Sequence, residues 1–299
     1  MSITRPHLGL GILLMLLAML SFASMDAISK ALARALPIPQ IMWVRYAIFT
    51  ALALLMLHRL GITRVARSAR PALQATRALV AVIENSVFVL AFTYLPLADV
   101  HAIAAASPLI VIALSVALLG EHVGMRRWFA VAVGFIGVLL IVRPGFEAIG
   151  PGHLVALAGA LLWAAYQLLV RMVSQHDHSD TTWLWTAVIG LVLTTFIGPF
   201  YWTWPDARGW GLLLAIALMG SAAHLALINA LARAEASALQ PFGYTMLMWA
   251  AVIGYLAFGD VPDRWTVAGA GLILASGLYA WHRERVRAGA AKGVVASSE

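Results

Sequence analysis

Cysteine is absent from this sequence of 299 residues. Disulfide bonds and thiolate metal sites are therefore excluded, and cysteine usage leaves the redox compartment open. Lysine is scarce as well, because Lys30 and Lys292 are its only occurrences. Neither of them lies in a Gly-rich phosphate-binding loop, so the chain has no motif for driving work with ATP.

Charged residues are also few, at 11% of the chain, whereas 62% of the chain is apolar. Soluble domains contain about a quarter charged residues, so this composition indicates a chain that lies in lipid. About 20 apolar residues cross a hydrocarbon core of about 30 Å. We therefore predict an all-α membrane protein with ten transmembrane helices, at 8–25, 38–58, 71–95, 100–120, 128–142, 148–170, 181–205, 209–232, 236–259 and 265–282.

The sequence pI of about 10.2 does not indicate nucleic-acid binding, because the basic residues lie in short connections between the predicted helices. With a cytoplasmic N-terminus, thirteen Lys and Arg fall in inside segments and five in outside segments. The positive-inside rule then places both termini in the cytoplasm. We expect a multi-pass protein of the bacterial inner membrane, with the lipid bilayer as its partner.

An internal repeat appears when residues 9–142 are aligned with residues 150–279. Leu119-Gly120-Glu121 then matches Phe258-Gly259-Asp260. Each half has five helices, so the halves insert in opposite senses and enclose a ligand site near the middle of the bilayer. We predict inverted repeats at 8–145 and 150–283, followed by a disordered cytoplasmic tail at 284–299.

The chain resembles the ten-helix EamA branch of the drug/metabolite transporter superfamily, and within it the bacterial amino acid and metabolite exporters. The resemblance rests on Leu95-Pro96-Leu97-Ala98, Gly120-Glu121, Gly134-x-x-Gly137 and Gly259-Asp260. It implies secondary transport by alternating access, through a central cavity lined mainly by helices one, three, four, six, eight and nine. Two other observations bear on function independently of the resemblance: charges and polar groups within the apolar segments.

Glu84, Arg45 and Arg77 are charged residues inside predicted helices, where an isolated charge costs about 2.5 to 3.5 kcal/mol. Glu84 and Arg45 lie about 18 and 21 Å from the cytoplasmic side at a rise of 1.5 Å per residue. They can therefore form a buried ion pair between helices two and three. The alternative is that Glu84 couples transport to protons or receives a substrate ammonium.

Asn85 and His224 occupy equivalent positions of the two repeats. An amide and an imidazole on opposite sides of one cavity can bind the carboxylate or amine of a small zwitterion, and imidazole titrates near physiological pH. Interhelical hydrogen bonding is the alternative. The other candidate lining residues are Met25, His101, Trp163, Tyr166, Gln167, Asn229, Tyr244 and Trp249.

Pro108 and Pro241 lie in the fourth helix of their respective halves and remove backbone donors. They predict kinks that shape the cavity or act as hinges, with ordinary bending as the alternative. Gly134, Gly137 and Gly271 predict close packing of helices five and ten. The residues 176–180 contain two His and two Asp, but they are consecutive and indicate a solvated loop rather than a metal site.

These features predict a secondary-active exporter of small metabolites, most of all neutral or aromatic amino acids, because the interior offers aromatics, Met, amides and His but few cations for phosphate. The alternatives are a multidrug, nucleoside or vitamin transporter of the same fold, or a channel. An enzyme is not predicted, since Gly-x-Ser-x-Gly and His-Glu-x-x-His are absent. Catalytic residues, cofactors and metals are not expected, and both monomer and homodimer stay open.

Overall fold

A computed structural model describes residues 8–58, 61–107, 109–111, 114, 125–142, 150–174, 176–233 and 242–296. Ten helices in this part of the chain follow the ten predicted ones in order. They are α1 Leu8–Ala33, α2 Ile38–Leu57, α3 Pro71–Tyr94, α4 Leu97–Ala104, α5 Met125–Val142, α6 Pro151–Ser174, α7 Ser179–Thr195, α8 Ala207–Arg233, α9 Thr245–Phe258 and α10 Arg264–Ala296. The connections also contain a single α-helical turn, Ile62–Val65, and a 3-10 turn, Gly198–Tyr201.

The helix ends follow local sequence rules. Pro71 opens α3 in the first helical turn, where the missing N–H has no intrahelical partner to lose. Gly259 ends α9 with a φ of 70°, a left-handed conformation that side chains disfavour and glycine adopts without strain. The Asp263 carboxylate accepts a hydrogen bond of 2.7 Å from the Thr266 N–H and caps the start of α10.

The outer surface of the bundle is apolar. Five helices, α1, α2, α3, α6 and α8, contain stretches long and apolar enough to cross a membrane, and α5 and α9 are shorter apolar helices. Large side chains such as Phe135 and Leu256 are 59% and 75% exposed. A surface of this kind is stable only against lipid tails, so the predicted all-α membrane fold is confirmed.

The two halves are interleaved. Helix α1 packs on α8 and α9 of the second half, while α6 packs on α3 and α4 of the first half. When α1 to α5 are matched in order with α6 to α10, the contact of α3 with α7 corresponds to that of α8 with α2. The contacts of α2 with α7, α4 with α9, and α5 with α10 each join two matched helices, so they are unchanged when the two halves are exchanged. This pattern is that of a two-fold axis between inverted five-helix repeats.

Helices α5 and α10 meet backbone to backbone. A Cβ added at Gly137 would lie 2.8 Å from the Gly269 carbonyl oxygen, and one added at Gly269 would lie 2.6 Å from the Gly137 carbonyl oxygen. Gly271 has no neighbouring atom within 4 Å of such a Cβ. Gly137 therefore has the predicted close contact, whereas in α10 that contact is made by Gly269 and not by Gly271.

Helix α10 continues to Ala296 and includes most of the residues 284–299, for which we predicted a disordered tail. Eight of the thirteen residues from 284 to 296 are Ala, Arg, Glu or Lys, which have high helix propensity and offset the two Gly and three Val of this stretch. A helix that has already begun in the membrane needs no new nucleus, so these residues extend it by one hydrogen bond each.

Candidate functional site

A polar group spans α2 and α3 in the interior of the bundle. The Arg45 guanidinium donates a hydrogen bond of 2.9 Å from Nη1 to the Asn85 side-chain oxygen. The Asn85 amide in turn donates to Glu84 Oε2 at 2.9 Å and to the Ala81 carbonyl at 2.9 Å. Arg45 and Glu84 are 5% exposed. In the part of the chain that the structure describes, they are thus connected through an amide and not by the direct ion pair that we predicted.

Arg45 also reaches the second repeat. A Cβ added at Gly220 of α8 would lie 3.0 Å from the Met25 sulfur and 3.6 Å from Arg45 Nη2. The missing side chain at Gly220 is what allows the guanidinium and the thioether to approach the α8 backbone. Residues of α1, α2, α3 and α8 thereby meet in one place between the repeats.

Aromatic rings surround His224 beside this group. The His224 ring centroid lies 5.0 Å from that of Phe22, edge to face, and 6.1 Å from that of Phe49. His224 Nδ1 is 2.8 Å from the Gly220 carbonyl, and because a carbonyl only accepts, Nδ1 carries the hydrogen. The Phe49 ring also contacts Trp183 at 5.5 Å. We call Arg45, Asn85, Glu84, Met25, His224, Phe22 and Phe49 the central cluster.

A second acid lies next to the central cluster. Asp26 Oδ2 is 3.3 Å from His101 Nε2, which joins α1 to α4. His101 is 6% exposed, and its ring lies 5.6 Å from that of Phe92. Among the described residues, Asp26 and Glu84 are therefore acidic side chains buried in the interior.

At one end of the bundle, an ion pair joins the repeats. Lys30 Nζ donates to Asp260 Oδ2 at 2.7 Å and to the Leu95 carbonyl at 3.2 Å. Lys30 and Arg34 both lie over the Phe258 ring, at 4.9 and 5.0 Å from its centroid. We call this end, where α1 ends and α9 turns into α10, the Asp260 end. It is the outer end in the predicted orientation.

At the opposite end, Asp177 of the α6–α7 connection binds the first repeat. Its carboxylate accepts hydrogen bonds from the Ser68 hydroxyl, from the Ala69 N–H at 2.8 Å and from the Gln74 amide at 2.9 Å. Partial burial alone would raise the pKa of Asp177, but these hydrogen bonds outweigh it and hold the pKa below its ordinary value. We call this the Asp177 end. The residues 176–180, predicted to be a solvated loop, therefore also connect the repeats.

The structure brings some predicted lining residues together and separates others. Met25, Glu84, Asn85 and His224 meet in the central cluster, although Asn85 and His224 are each engaged with other partners. Trp163 and Tyr166 stack on each other with centroids 5.5 Å apart. Tyr166 lies next to Arg77, whose guanidinium carbon is 5.9 Å from the Tyr166 centroid. Half-buried Gln167 follows on the same helix.

Tyr244, Trp249 and Asn229 have other contacts. The Tyr244 hydroxyl points at Gly277 of α10, and its side chain lines an apolar cavity of about 330 Å³ between α9 and α10. Trp249 packs against the apolar residues of α1 and α8. The Asn229 amide donates to the Leu225 carbonyl, one turn earlier in its own helix. Pro108 and Pro241 lie outside the described residues.

The buried charged residues Arg45, Arg77 and Asp26 were not among the predicted site residues, and neither were the rings of Phe22 and Phe49. Arg45 and Arg77 stand out in the sequence as charges within apolar segments. The sequence indicated a structural ion pair for Arg45 and no partner for Arg77. Asp26 is found one residue after Met25, and the observation that identifies it is its position within the long apolar helix α1. No cluster of three His, Asp or Glu suited to a metal occurs among the described residues.

Comparison with known proteins supports the same architecture. A crystal structure with a TM-score of 0.61 and 19% identity covers 91% of this chain and is itself covered to 96%, which shows a shared fold. A riboflavin transporter of Vibrio cholerae is 31% identical over 276 residues, with 91% of this chain and 93% of the relative covered. The pseudopaline exporter CntI of Pseudomonas aeruginosa is 29% identical, with 89% and 94% covered.

An S-adenosylmethionine uptake transporter of Rickettsia felis is 24% identical over 270 residues, with 90% of this chain and 92% of the relative covered. All of these named relatives are transporters of small metabolites and not enzymes. The EamA-like transporter family matches the sequence twice, at residues 9–143 and at residues 150–280, once for each repeat. The chain therefore belongs to the EamA-like transporter family, as a multi-pass membrane protein that transports small metabolites.

Proposed function

We propose that this transporter carries a small metabolite with a planar aromatic ring and hydrogen-bonding groups, and that the metabolite binds at the central cluster. The observation that carries the proposal is the position of Arg45, Asn85 and Glu84 beside the rings of His224, Phe22 and Phe49, between the inverted repeats. Such a site offers donors, acceptors and ring faces together, which is the usual composition of a small-molecule site.

Export of aromatic or neutral amino acids is the first substrate class. An amino acid at neutral pH has one carboxylate and one ammonium group. Arg45 and Glu84 are opposite charges separated by the width of one amide, so they match that pair of groups. The adjacent rings match an aromatic side chain, since ring pairs stabilise each other by about 0.5 to 1.5 kcal/mol beyond area burial.

Riboflavin is the second substrate class, and sequence similarity supports it. Relatives named as riboflavin transporters come from Vibrio cholerae, at 31% identity, and from Rhizobium johnstonii, at 29% identity. The flat ring system of riboflavin fits between aromatic side chains, and its uncharged polar edge can hydrogen-bond to Asn85. Riboflavin has neither a carboxylate nor an ammonium group, so its binding does not require an ion pair with Arg45 or with Glu84.

Transport is driven by a solute gradient, because the chain has no nucleotide-binding loop. Rocking of the interleaved repeats exposes the central cluster first at one end and then at the other. We place the Asp177 end and both termini in the cytoplasm of the bacterium, as the distribution of Arg and Lys predicts. Single cysteines replacing the exposed residues Arg67 and Arg208 test this in intact cells. An impermeant thiol reagent should label position 208 only, and labelling of position 67 alone would reverse the orientation.

Counterflow in proteoliposomes tests the substrate. Vesicles loaded with unlabelled tryptophan, leucine or riboflavin receive a trace of the labelled compound outside, with and without a pH gradient. A carrier produces a transient accumulation of label, which a channel does not. Absence of counterflow for every ring-bearing compound would contradict the proposal, whereas accumulation of riboflavin alone would reject the amino acid class.

The central cluster is tested in the same vesicles. Arg45→Gln should abolish counterflow or raise the KM at least tenfold, because it removes the guanidinium next to Gly220. Arg34→Gln is the matched control, since it removes one positive charge at the exposed Asp260 end. Gel filtration and circular dichroism establish that both variants are folded. Equal transport by a folded R45Q and the wild type would place the substrate elsewhere.

A further inference from the structure

Arg77 is a charged side chain with no exposed surface at all. It lies on α3 between the central cluster and the Asp177 end, and its exposed fraction is 0%. Its eight-residue separation from Asn85 corresponds to about 12 Å along the helix. The guanidinium is therefore a separate feature of the interior and not a part of the central cluster.

The hydrogen-bond partners of Arg77 are all uncharged. Nε donates to the Gln74 side-chain oxygen at 3.2 Å, and Nη2 donates to the Thr182 carbonyl at 3.0 Å and to the Thr186 hydroxyl at 2.8 Å. The Tyr166 side chain adds a looser hydrogen-bonding contact with the guanidinium, whose carbon lies 5.9 Å from the centre of the Tyr166 ring. Nη1 is buried and has no hydrogen-bond partner of ordinary geometry among the described residues.

Asp177 is connected to Arg77 only indirectly, through the Gln74 side chain. Asp177 binds the Gln74 amide nitrogen at 2.9 Å, and Gln74 presents its oxygen to Arg77. In the described part of the chain, no carboxylate forms an ion pair with Arg77. A buried cation without an opposite charge is destabilising, and neutral residues would join α3 to α7 at lower cost. The charge is best explained by an anionic group that binds there.

The aromatic pair beside Arg77 indicates what else that ligand contains. Trp163 and Tyr166 are stacked with ring planes 24° apart, and both are half-buried on α6. A guanidinium binds carboxylate through two parallel hydrogen bonds, and the Nε and Nη2 of Arg77 are held only by uncharged groups that a carboxylate can replace. A carboxylate attached to a flat ring fits this arrangement, because the ring can lie against Trp163 or Tyr166.

We infer that Arg77 is a binding site for the carboxylate of an aromatic substrate, on the path between the Asp177 end and the central cluster. The inference rests on the proposed function and narrows its substrate class to aromatic carboxylates. A bound carboxylate takes the place of the Gln74 oxygen at Nε and of the Thr186 hydroxyl at Nη2, the two donors on one side of the guanidinium. Gln74 then loses one of the contacts that orient it toward Asp177, so ligand binding weakens the hydrogen bonds that join the repeats at this end.

The test compares two probes, indole-3-propionate and the uncharged indole-3-propionamide, for binding to the purified full-length protein in nanodiscs by equilibrium dialysis. Thr186→Asp places an internal carboxylate next to Nη2, and Thr186→Asn is its uncharged control of nearly equal size. Arg45 is present in both variants, so its own contribution cancels in the comparison. T186D should bind the carboxylate about tenfold more weakly than T186N does, with equal binding of the amide, because a charge-assisted hydrogen bond is lost.

Arg77→Gln provides a second comparison, with Arg34→Gln as the matched loss of charge. R77Q should lose the preference for the carboxylate over the amide, and R34Q should keep it. Equal carboxylate binding by T186D and T186N would overturn the inference, as would a wild type that binds both probes equally. The proposed function fails separately, by absence of counterflow, and that result leaves this difference in binding unaffected.

Discussion

Both buried arginines reach a carboxylate through an amide side chain. Arg45 is joined to Glu84 by Asn85, and Arg77 is joined to Asp177 by Gln74. An amide has a donor and an acceptor, so it satisfies a guanidinium and a carboxylate at once while it keeps them apart. The separation leaves each charge able to exchange its amide partner for a group of a ligand, which a direct salt bridge would resist.

Asn85→Leu should lower the free energy of unfolding by about 2 to 3 kcal/mol, because hydrogen bonds to charged groups contribute about that much. The leucine has the same branching as asparagine but offers Arg45 no acceptor. Titration with sodium dodecyl sulfate in mixed micelles measures the change. Ser86→Ala is the control on the same helix, where only a bond to the Val82 carbonyl is lost. If N85L is as stable as S86A, the Asn85 amide does not stabilise the protein by joining Arg45 to Glu84.

Asp177→Asn should destabilise the protein at neutral pH and have little effect in acid. The folded-state pKa of Asp177 lies below its ordinary value, so its stabilising contribution is complete above the unfolded-state pKa. It is lost as the pH falls through the lower, folded-state pKa. Melting temperatures of the wild type and D177N should therefore differ at pH 7 and converge as the pH falls below the ordinary pKa of an aspartate. A difference that widens in acid would contradict the hydrogen-bonded carboxylate.

At this scale, the sequence predicted the level of the interior charges but not their partners. Helical rise alone places Arg45 and Glu84 at similar depth, and Met25, Asn85 and His224 do lie around Arg45. Asn85 is the direct partner of Arg45 because of side-chain rotamers and the missing side chain at Gly220. The depth of a residue along its helix determines neither of these. Asn85 and His224 share the neighbourhood of Arg45 without bonding to each other.

At the scale of helices, α5 and α10 show how a glycine pattern can indicate a contact and miss its position. Gly269 and Gly271 are two residues apart, so they point about 200° away from each other around α10. Only Gly269 faces the α5 backbone, while Gly271 lines the apolar cavity beside Tyr244. Helix rotation about its own axis decides between the two, and that rotation is set by packing of the whole bundle.

Gly269→Ala should destabilise the protein by about 1 to 3 kcal/mol, the usual cost of overpacking. Its methyl group would meet the Gly137 carbonyl oxygen at 2.6 Å and force α5 and α10 apart. Gly271→Ala should be neutral or stabilising by up to about 1 kcal/mol, since alanine favours helix and the site is open. The same detergent titration measures both, and a reversed order would mean that α10 is rotated relative to this description.

At the scale of the whole molecule, contacts join the repeats at both ends. Lys30 with Asp260 joins them at one end, and Asp177 with Ser68 and Gln74 joins them at the other. The central cluster lies between these two sets of contacts. The alternating access that we propose requires that each set of contacts breaks in turn while the other remains.

A short thiol cross-link at either end should stop transport. Because the chain has no cysteine, the pairs K30C with D260C and S68C with D177C introduce its only thiols. Counterflow should be lost after treatment with a bifunctional reagent and kept after treatment with a monofunctional reagent of the same length. Full transport by a chain cross-linked at either end would show that this end does not open during the cycle.

The number of helices, their order and the inverted repeats follow from the sequence because apolar length and repetition determine them. Interleaving does not follow, since it depends on which faces of α1 and α3 meet α8 and α6. This arrangement has a consequence for synthesis at the ribosome. After five helices have been made, the face of α3 that packs on α6 and the face of α1 that packs on α8 still lack their partners. Helix α1 therefore stays in the membrane without its main partner until α8 has been translated.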